Sequence, residues 1–581
     1  MKKKITALLL ALMLLLSACG LPGGGGSFGG RLDEIFDSGD DGKTQPGTDA
    51  AAAPDGGNAC SGEPEGQSEP EQPTEPEQPT EPAHKGAPKI LIINYYDQRY
   101  DYDLFVNFGY GRIPLIFCGD QVGVSGLDSY YEARDDENYP ELAKTLRERN
   151  DAMMASLQET LDSIEDYARE DYSYGSYDGA KDYTMVYSST TSAWVCRADS
   201  AIVSIRCYNF NYSGGPHPYY GYYGVNIDSA TGEYLTIGDI LTDAGREQLP
   251  YIFESEMDKT DPYYRQALLV SSVSDEIRRW IDDGSLRFVV DQSGVTILIG
   301  QYELAAYAAG PLFIKLRFDE YPELFSDKYV FRGGDWVTGL PPMGMDNEAY
   351  GRSSASLDTP SGSRTLEIDY RGDYSSGDSG VTVKLDGAEW SSGDEFYGFD
   401  LRPYLICRGG SYYLYLEYHM PNDWPAMYVL DLNGSAPVLL GTFYEGPGSS
   451  ALTDPDCFYL STRSYTMSTY NIVRRYRIAD SGPDKGLPQP LEDMYYAVNA
   501  PVLTLRQDAG FTQLLPGGEQ ETVLPAGTEL RFYRTDNDST VELCDGAGRI
   551  YRVSYDLDEH YTGTVNGIPL EELFDGTMFA G

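Results

Sequence analysis

Histidine is almost missing from this chain: four in 581 residues, at His84, His217, His419 and His560. So scattered a set does not support a His-rich metal site, and the sequence contains no HExxH. Cationic side chains are also few, 43 Lys and Arg against 91 Asp and Glu, for a formal net charge of −48. Without Lys2–Lys4 the balance is 40 against 91, or −51. Such a chain repels nucleic acid and anionic lipid headgroups, and it attracts cations and basic proteins. Cysteine is sparse and has no CxxC spacing, which argues against a metal knuckle and against a dense disulfide framework. The P-loop, the dinucleotide fingerprint and a strand-to-helix nucleophile elbow are all missing. Beyond Leu16 no run is apolar and long enough to span a bilayer. "TDNDST" around Asp536 and Asp538 lacks the spaced ligands of a calcium loop and reads as a solvated turn. No cofactor is therefore expected, and no catalytic residue is marked.

What the chain does have begins at its first residues, "MKKKITALLLALMLLLSACG". Lys2–Lys4 precede an apolar core ending at Leu16, as in a signal peptide over 1–18. Leu16-Ser17-Ala18-Cys19 resembles the bacterial lipobox. The resemblance implies cleavage before Cys19, a diacylglycerol on its sulfur, and a protein anchored to the extracytoplasmic face of a bacterial membrane. Residues 19–88 run from Gly-rich to Pro/Glu-rich, with Glu-Pro-Glu-Gln-Pro-Thr repeated, and hold too few apolar residues for a core. We read them as a disordered tether.

Tyrosine is abundant, 49 against 20 Phe and 5 Trp, in keeping with half-buried strands or with rigid contact surfaces. From residue 89 to 340 the pattern is mixed. "KILIINYY", "RIPLIFCG", "TMVYSSTTSAWVC" and "AIVSIRCYNFNY" read as strands. Pro140 starts a helix whose apolar face is Leu142, Leu146, Met153, Leu157, Leu161, Ile164 and Ala168. Ser272 with Asp275, then Ile277, Trp280, Ile281 and Gly284, signals a second. The predicted class is α+β and multi-domain: an antiparallel sheet packed with two helices over 89–340, a β-rich domain over 345–498, sandwich or blade-like, and a small SH3-like barrel over 499–581.

The block "YNFNYSGGPHPYYGYYGVNIDSATGEYLTIGDIL" supplies the candidate site. Gly214 and Gly215 permit a tight turn, and Pro216 and Pro218 stiffen its exit around His217. No nucleophile or orienting carboxylate is marked for His217 to serve as a base, so the structural reading leads the catalytic one. Tyr219, Tyr220, Tyr222 and Tyr223 follow as a candidate recognition surface. Together with "VSDEIRRWI", "LRFVVDQSGVTILIGQYELAAYAAGP" and "LFIKLRFDEYPELF", this order of motifs resembles the extracellular module of RsiV-type anti-sigma factors. That module is domain-of-unknown-function family 3298, and its usual companion, also seen ahead of PdaC-type deacetylases, would match 89–205. The family pattern is met at Gly214, Gly215, His217, Asp228, Thr231, Gly232, Leu235, Thr236, Asp239, Tyr302, Ala305, Tyr307, Ala308 and Gly310. It is broken at Pro216, Pro218 and Ala306.

The resemblance implies a binding module rather than an enzyme, with a lysozyme-like basic protein or peptidoglycan as the expected partner. The family's cytoplasmic segment, membrane span and deacetylase motifs have no counterpart here. The competing readings are a peptidoglycan-modifying enzyme carrying a C-terminal targeting barrel, and a purely structural envelope lipoprotein.

Overall fold

The computed structural model describes residues 86–121, 133–177, 187–214, 217–344, 350–359, 362–373, 378–393, 396, 398–421, 424–557 and 563–579. The signal peptide, Cys19, nearly all of the expected tether, Gly215 and Pro216 lie outside the described residues. The α+β expectation is overturned. Strands make up 49% and helices 17%, and the strands form several separate sheets rather than one sheet carrying two helices. Five α-helices occur among the described residues.

The first sheet holds β1 (Ile90–Asp101), β2 (Val106–Asp120), β3 (Arg134–Asp135), β4 (Ser188–Ala198), β5 (Ile202–Tyr212) and β6 (Tyr219–Asp228). Its order is β1-β2-β4-β5-β6, with β3 on β2. β2 and β4 pair in parallel over only three positions, Tyr110↔Ser188 to Arg112↔Thr190. A parallel step needs a long crossover, and helix α1 (Pro140–Ser173) lies within it. Past Arg112 the β2 edge loses its strand partner. There the α1 side chain of Asn150 substitutes for a strand, accepting from Ile116 N and donating to Ile116 O, both at 2.8 Å. Gly111 lets the helix approach, since a Cβ there would lie 2.6 Å from Leu157 Cδ1.

The second layer is a three-stranded sheet of β7 (Phe288–Val290), β8 (Gly294–Ile299) and β9 (Leu312–Arg317). On it pack α2 (Ile237–Ile240), α3 (Asp243–Thr260) and α4 (Val273–Asp282). Leu249, Phe253, Met257, Ile277 and Ile281 meet Val295, Ile297 and Ile314 in that core. α4 is capped by Ser272, which accepts from Asp275 N, and ends before Gly284 at φ +71°. Two polar side chains tie this layer to the first sheet: Ser204 Oγ accepts from Val290 N, and Asn226 Nδ2 donates to Phe288 O, both at 2.8 Å.

The second half is sheet on sheet. β10 (Trp336–Gly339) joins β15 (Phe399–Arg408), β16 (Ser411–Met420), β17 (Trp424–Asp431) and β18 (Val438–Phe443) in a five-stranded central sheet. β11 (Tyr350–Thr359), β12 (Gly362–Asp373), β13 (Asp378–Leu385) and β14 (Ala388–Ser391) form a second sheet on one face of it. Side chains alternate across a strand, so Leu414 and Leu416 face that sheet while Tyr413 and Tyr415 face the opposite way. On the opposite side lie β19 (Phe458–Ser464) and β20 (Tyr470–Ile478). These two continue into a thirteen-stranded sheet that takes in every remaining strand up to Asp575. The short helix Leu570–Leu573 closes its core. The stack is joined to the first sheet where Ile92 N donates to Ser449 O and Ala451 N to Ile90 O, which covers the β1 edge.

The six described cysteines are free thiols. Cys196 and Cys207, on the paired strands β4 and β5, belong to cores on different sides of the sheet.

Candidate functional site

β6 begins at Tyr219, immediately after the bend at His217. Gly214 stands at φ +90° against the Tyr187 hydroxyl. The loop that follows β8, Gly300 to Gly310, comes up beside this turn. It is hung on two backbone bonds to a neighbouring segment, Leu269 N to Leu304 O at 2.8 Å and Ala306 N to Ala267 O at 2.9 Å.

Four aromatic rings meet there. His217, exposed, stacks on Tyr307 with centroids 4.4 Å apart and planes 27° off parallel. Tyr302 lies 5.6 Å from Tyr307 and Tyr220 lies 6.2 Å from it. Tyr307 Oη donates to Pro218 O at 3.4 Å, which fastens the loop to the turn. Tyr302 is 55% exposed and adopts φ +63°, a left-handed conformation that is uncommon for a bulky residue. The rings therefore form a strip, His217–Tyr307–Tyr302, with both ends open to solvent. Behind it Tyr208, Tyr222 and Phe313 continue the cluster, with Arg206 lying 4.1 Å from the Phe313 centroid and 5.1 Å from Tyr222. Burial lowers the pKa of that guanidinium, and the ring faces offset part of the desolvation.

Polar groups are sealed beneath the loop. Gln301 is 4% exposed, and neither amide atom makes a hydrogen bond. Its amide does act on the Tyr220 hydroxyl, but without hydrogen-bond geometry. The Tyr264 hydroxyl, buried in the adjoining turn, also has no hydrogen-bond partner. Burial, then the carboxylates of Glu303 and Asp261, push its pKa up to about 12. Glu303 itself is engaged, accepting from Gly300 N at 2.7 Å and pairing with Arg287 at 2.7 Å.

Asp228, Gly232 and Asp239 do structural work at or beyond the other end of β6, which lies about 30 Å from Tyr219 at 3.3 Å per residue. Asp228 accepts from Ala230 N, Thr231 N, Lys328 Nζ and Tyr329 Oη. Burial alone would raise its pKa, but the Lys328 and backbone bonds hold it below the usual carboxylate value. Gly232, at φ +71°, lies against α1: a Cβ there would come 2.6 Å from Glu141 O. Asp239 accepts from both Thr236 N and Thr236 Oγ1, closing the first turn of α2. Gly310, at φ +69°, faces open space at the end of the aromatic loop.

The four expected recognition tyrosines, Tyr219, Tyr220, Tyr222 and Tyr223, are all half-buried. Tyr220 and Tyr222 enter the aromatic cluster, and Tyr223 turns to the other face against Arg149 and Cys207. Sequence reasoning missed Gln301, Tyr264 and Arg206. Nothing in "GQYELAAYAAGP" separates a sealed glutamine from a turn residue. Among the described residues no group of three or more His, Cys, Asp or Glu is placed to hold a metal ion.

A second surface lies at the tip of the β1–β2 hairpin. Tyr102 and Phe105 are 77% and 70% exposed there, and Tyr174, at the end of α1, is 77% exposed. Arg169 binds the two elements, pairing with Asp101 and lying over Phe108. Asp162, Glu165, Asp166, Glu170 and Asp171 make this end of α1 strongly acidic.

No family model and no curated protein matches the chain. Two solved structures similar to it are DUF3298 family proteins. One, from Bacteroides fragilis NCTC 9343, has a TM-score of 0.31 and 14% identity, covering 42% of this chain and 96% of that one. The other, from Pseudomonas aeruginosa PAO1, has a TM-score of 0.27 and 13% identity, covering 42% of this chain and 98% of that one.

Proposed function

We propose that this is a non-catalytic binding protein, tethered outside a bacterial cell by lipid on Cys19, that holds a cell-wall polymer on the strip around His217. The strip is the observation that carries the reading. Exposed aromatic faces backed by rigid strands offer stacking surfaces at low entropic cost. The Gln301 amide under the loop and the Tyr264 hydroxyl in the adjoining turn, neither in a hydrogen bond of good geometry, suit a polyhydroxylated ligand. The RsiV-like character of 89–340 and the SH3-like reading of 499–581 belong to this proposal, the latter as a further wall contact.

Co-sedimentation of the full chain with insoluble peptidoglycan tests it. Retention should fall at least tenfold in a His217→Ala/Tyr302→Ala double variant, and equal retention would refute the strip as the site. Muropeptide release during the same incubation would overturn the non-catalytic part. Cys19→Ser should move the protein from the membrane fraction to the medium, and unchanged fractionation would overturn the tether.

A second reading has its own support. The acidic, aromatic hairpin tip and the net charge of −48 suit a basic protein such as a lysozyme-like enzyme. Its signature is binding that weakens steeply with salt and is lost in Tyr102→Ala/Phe105→Ala but not in the His217 double variant.

A further inference from the structure

Two observations about the Gly300–Gly310 loop go together. Its outer side is a ring surface, and its inner side covers a buried primary amide that acts on the Tyr220 hydroxyl without forming a hydrogen bond of good geometry. An amide has one acceptor and two donor positions. That set matches the N–H and C=O of an acetamido group, which needs an acceptor and a donor side by side. A hydroxyl in the same place would engage only part of it.

Access requires the loop to lift. Its tethers are the two backbone bonds at Leu304 and Ala306, the Arg287–Glu303 ion pair, the buried side chains of Leu304 and Ala305 and the long Tyr307–Pro218 contact, with glycines at either end.

We propose that Gln301 makes the strip selective for N-acetylated amino sugars. The sugar ring would lie on Tyr302 and Tyr307 while the acetamido group meets the Gln301 amide. This rests on the glycan-binding reading above and goes beyond it, because ring stacking alone accepts any sugar face. A site whose buried polar groups are left unpaired rejects the analogue lacking the matching group.

The test is calorimetric titration of the full chain with tetrasaccharides of β-1,4-linked N-acetylglucosamine and of β-1,4-linked glucose, which differ at C2. The expected result is at least tenfold tighter binding of the acetylated oligomer. In Gln301→Leu the two affinities should converge, with stacking retained. Gln301→Glu, which keeps the length and loses the donors, should also lose the preference. Equal affinities in the unaltered protein overturn the inference while leaving glycan binding in place. A preference that survives Gln301→Leu also overturns it. Failure of both oligomers, together with failure to sediment with peptidoglycan, removes the glycan reading and this inference with it.

Discussion

Replacing Gln301 by leucine should make the protein more stable, not less. Gln301 is 4% exposed, and neither its Nε2 nor its Oε1 has a hydrogen-bond partner. A buried polar group left in that state costs about 1–3 kcal/mol, whereas an apolar group of similar shape carries no such penalty. The weak contact with Tyr220 offsets part of the cost of one atom. The net gain expected for Gln301→Leu is therefore about 1–3 kcal/mol, the penalty of a single group. The change is confined to one loop, so a local readout is more direct than a global melting temperature. Native-state hydrogen exchange at the Leu298 amide, which donates to Arg287 O at 2.9 Å beside the loop, reports the local free energy. Exchange there should slow by about 5- to 140-fold. Faster exchange would mean that the glutamine has a partner in the folded protein. The argument for a group held ready for a ligand would then fail. A change below about twofold would mean that the amide is hydrated where it stands. A variant that gains stability while losing sugar selectivity is the combination expected when a polar group is kept for function.

Glu417 provides a pH-dependent counterpart. It is fully buried, with Oε1 accepting from Gly448 N at 2.6 Å, Oε2 3.9 Å from Arg402, and the Tyr404 hydroxyl acting on the carboxylate. Burial raises its pKa against the pull of Arg402. Its contribution is thus whole below the ordinary glutamate value of 4.5 and is lost as pH rises through the raised value. Glu417→Gln should match the unaltered protein at low pH and exceed it at neutral pH in denaturant resistance; a gap that narrows with rising pH would contradict this. Asp228 runs the other way. Its pKa is held below 3.8, so its contribution is present above that value and fades as pH falls through the lowered one. Asp228→Asn should cost about 1.5–3 kcal/mol near neutrality, as expected for a hydrogen-bonded charge, with the difference shrinking in acid. Two glycines separate backbone from packing. Gly310→Ala meets open space, but at φ +69° and ψ −175° it occupies a region essentially confined to glycine, and it should cost the backbone penalty alone, about 1–3 kcal/mol. Gly232→Ala should cost clearly more, because Glu141 O stands 2.6 Å from the new Cβ. Equal losses in equilibrium denaturation would show that α1 moves aside freely.

The elements that could be read from the chain are those whose cause is local. α1 announces itself through Pro140 and an apolar stripe, and Leu142, Leu146, Leu157, Leu161, Ile164 and Ala168 are buried on it. α4 is bounded by Ser272 and Gly284 at its two ends. α3 is different. Pro250 sits inside it, where a proline ordinarily breaks a helix, and only the thin stripe Leu249–Phe253–Met257 favours continuation. Burial of that stripe against β8 and β9 decides the matter, and no window of sequence contains those strands. The division into five sheets is equally non-local, which is why an α+β expectation failed on a molecule whose strands were mostly recognisable one by one. The same distinction runs through the site. His217, Tyr302 and Tyr307 were legible as members of one motif series although about ninety residues separate the histidine from Tyr307. Asp228, Gly232 and Asp239 belong to that series as well, yet they shape a turn and a helix cap far from the rings. A motif thus records what the fold needs and what the surface presents without distinguishing them. Gln301 belongs to neither pattern: its significance is an unused hydrogen-bonding capacity, a property of the packed environment and not of the residue. Only the interior of the loop sets it apart from the chain's other glutamines, so it can be recognised from the packing and not from the sequence.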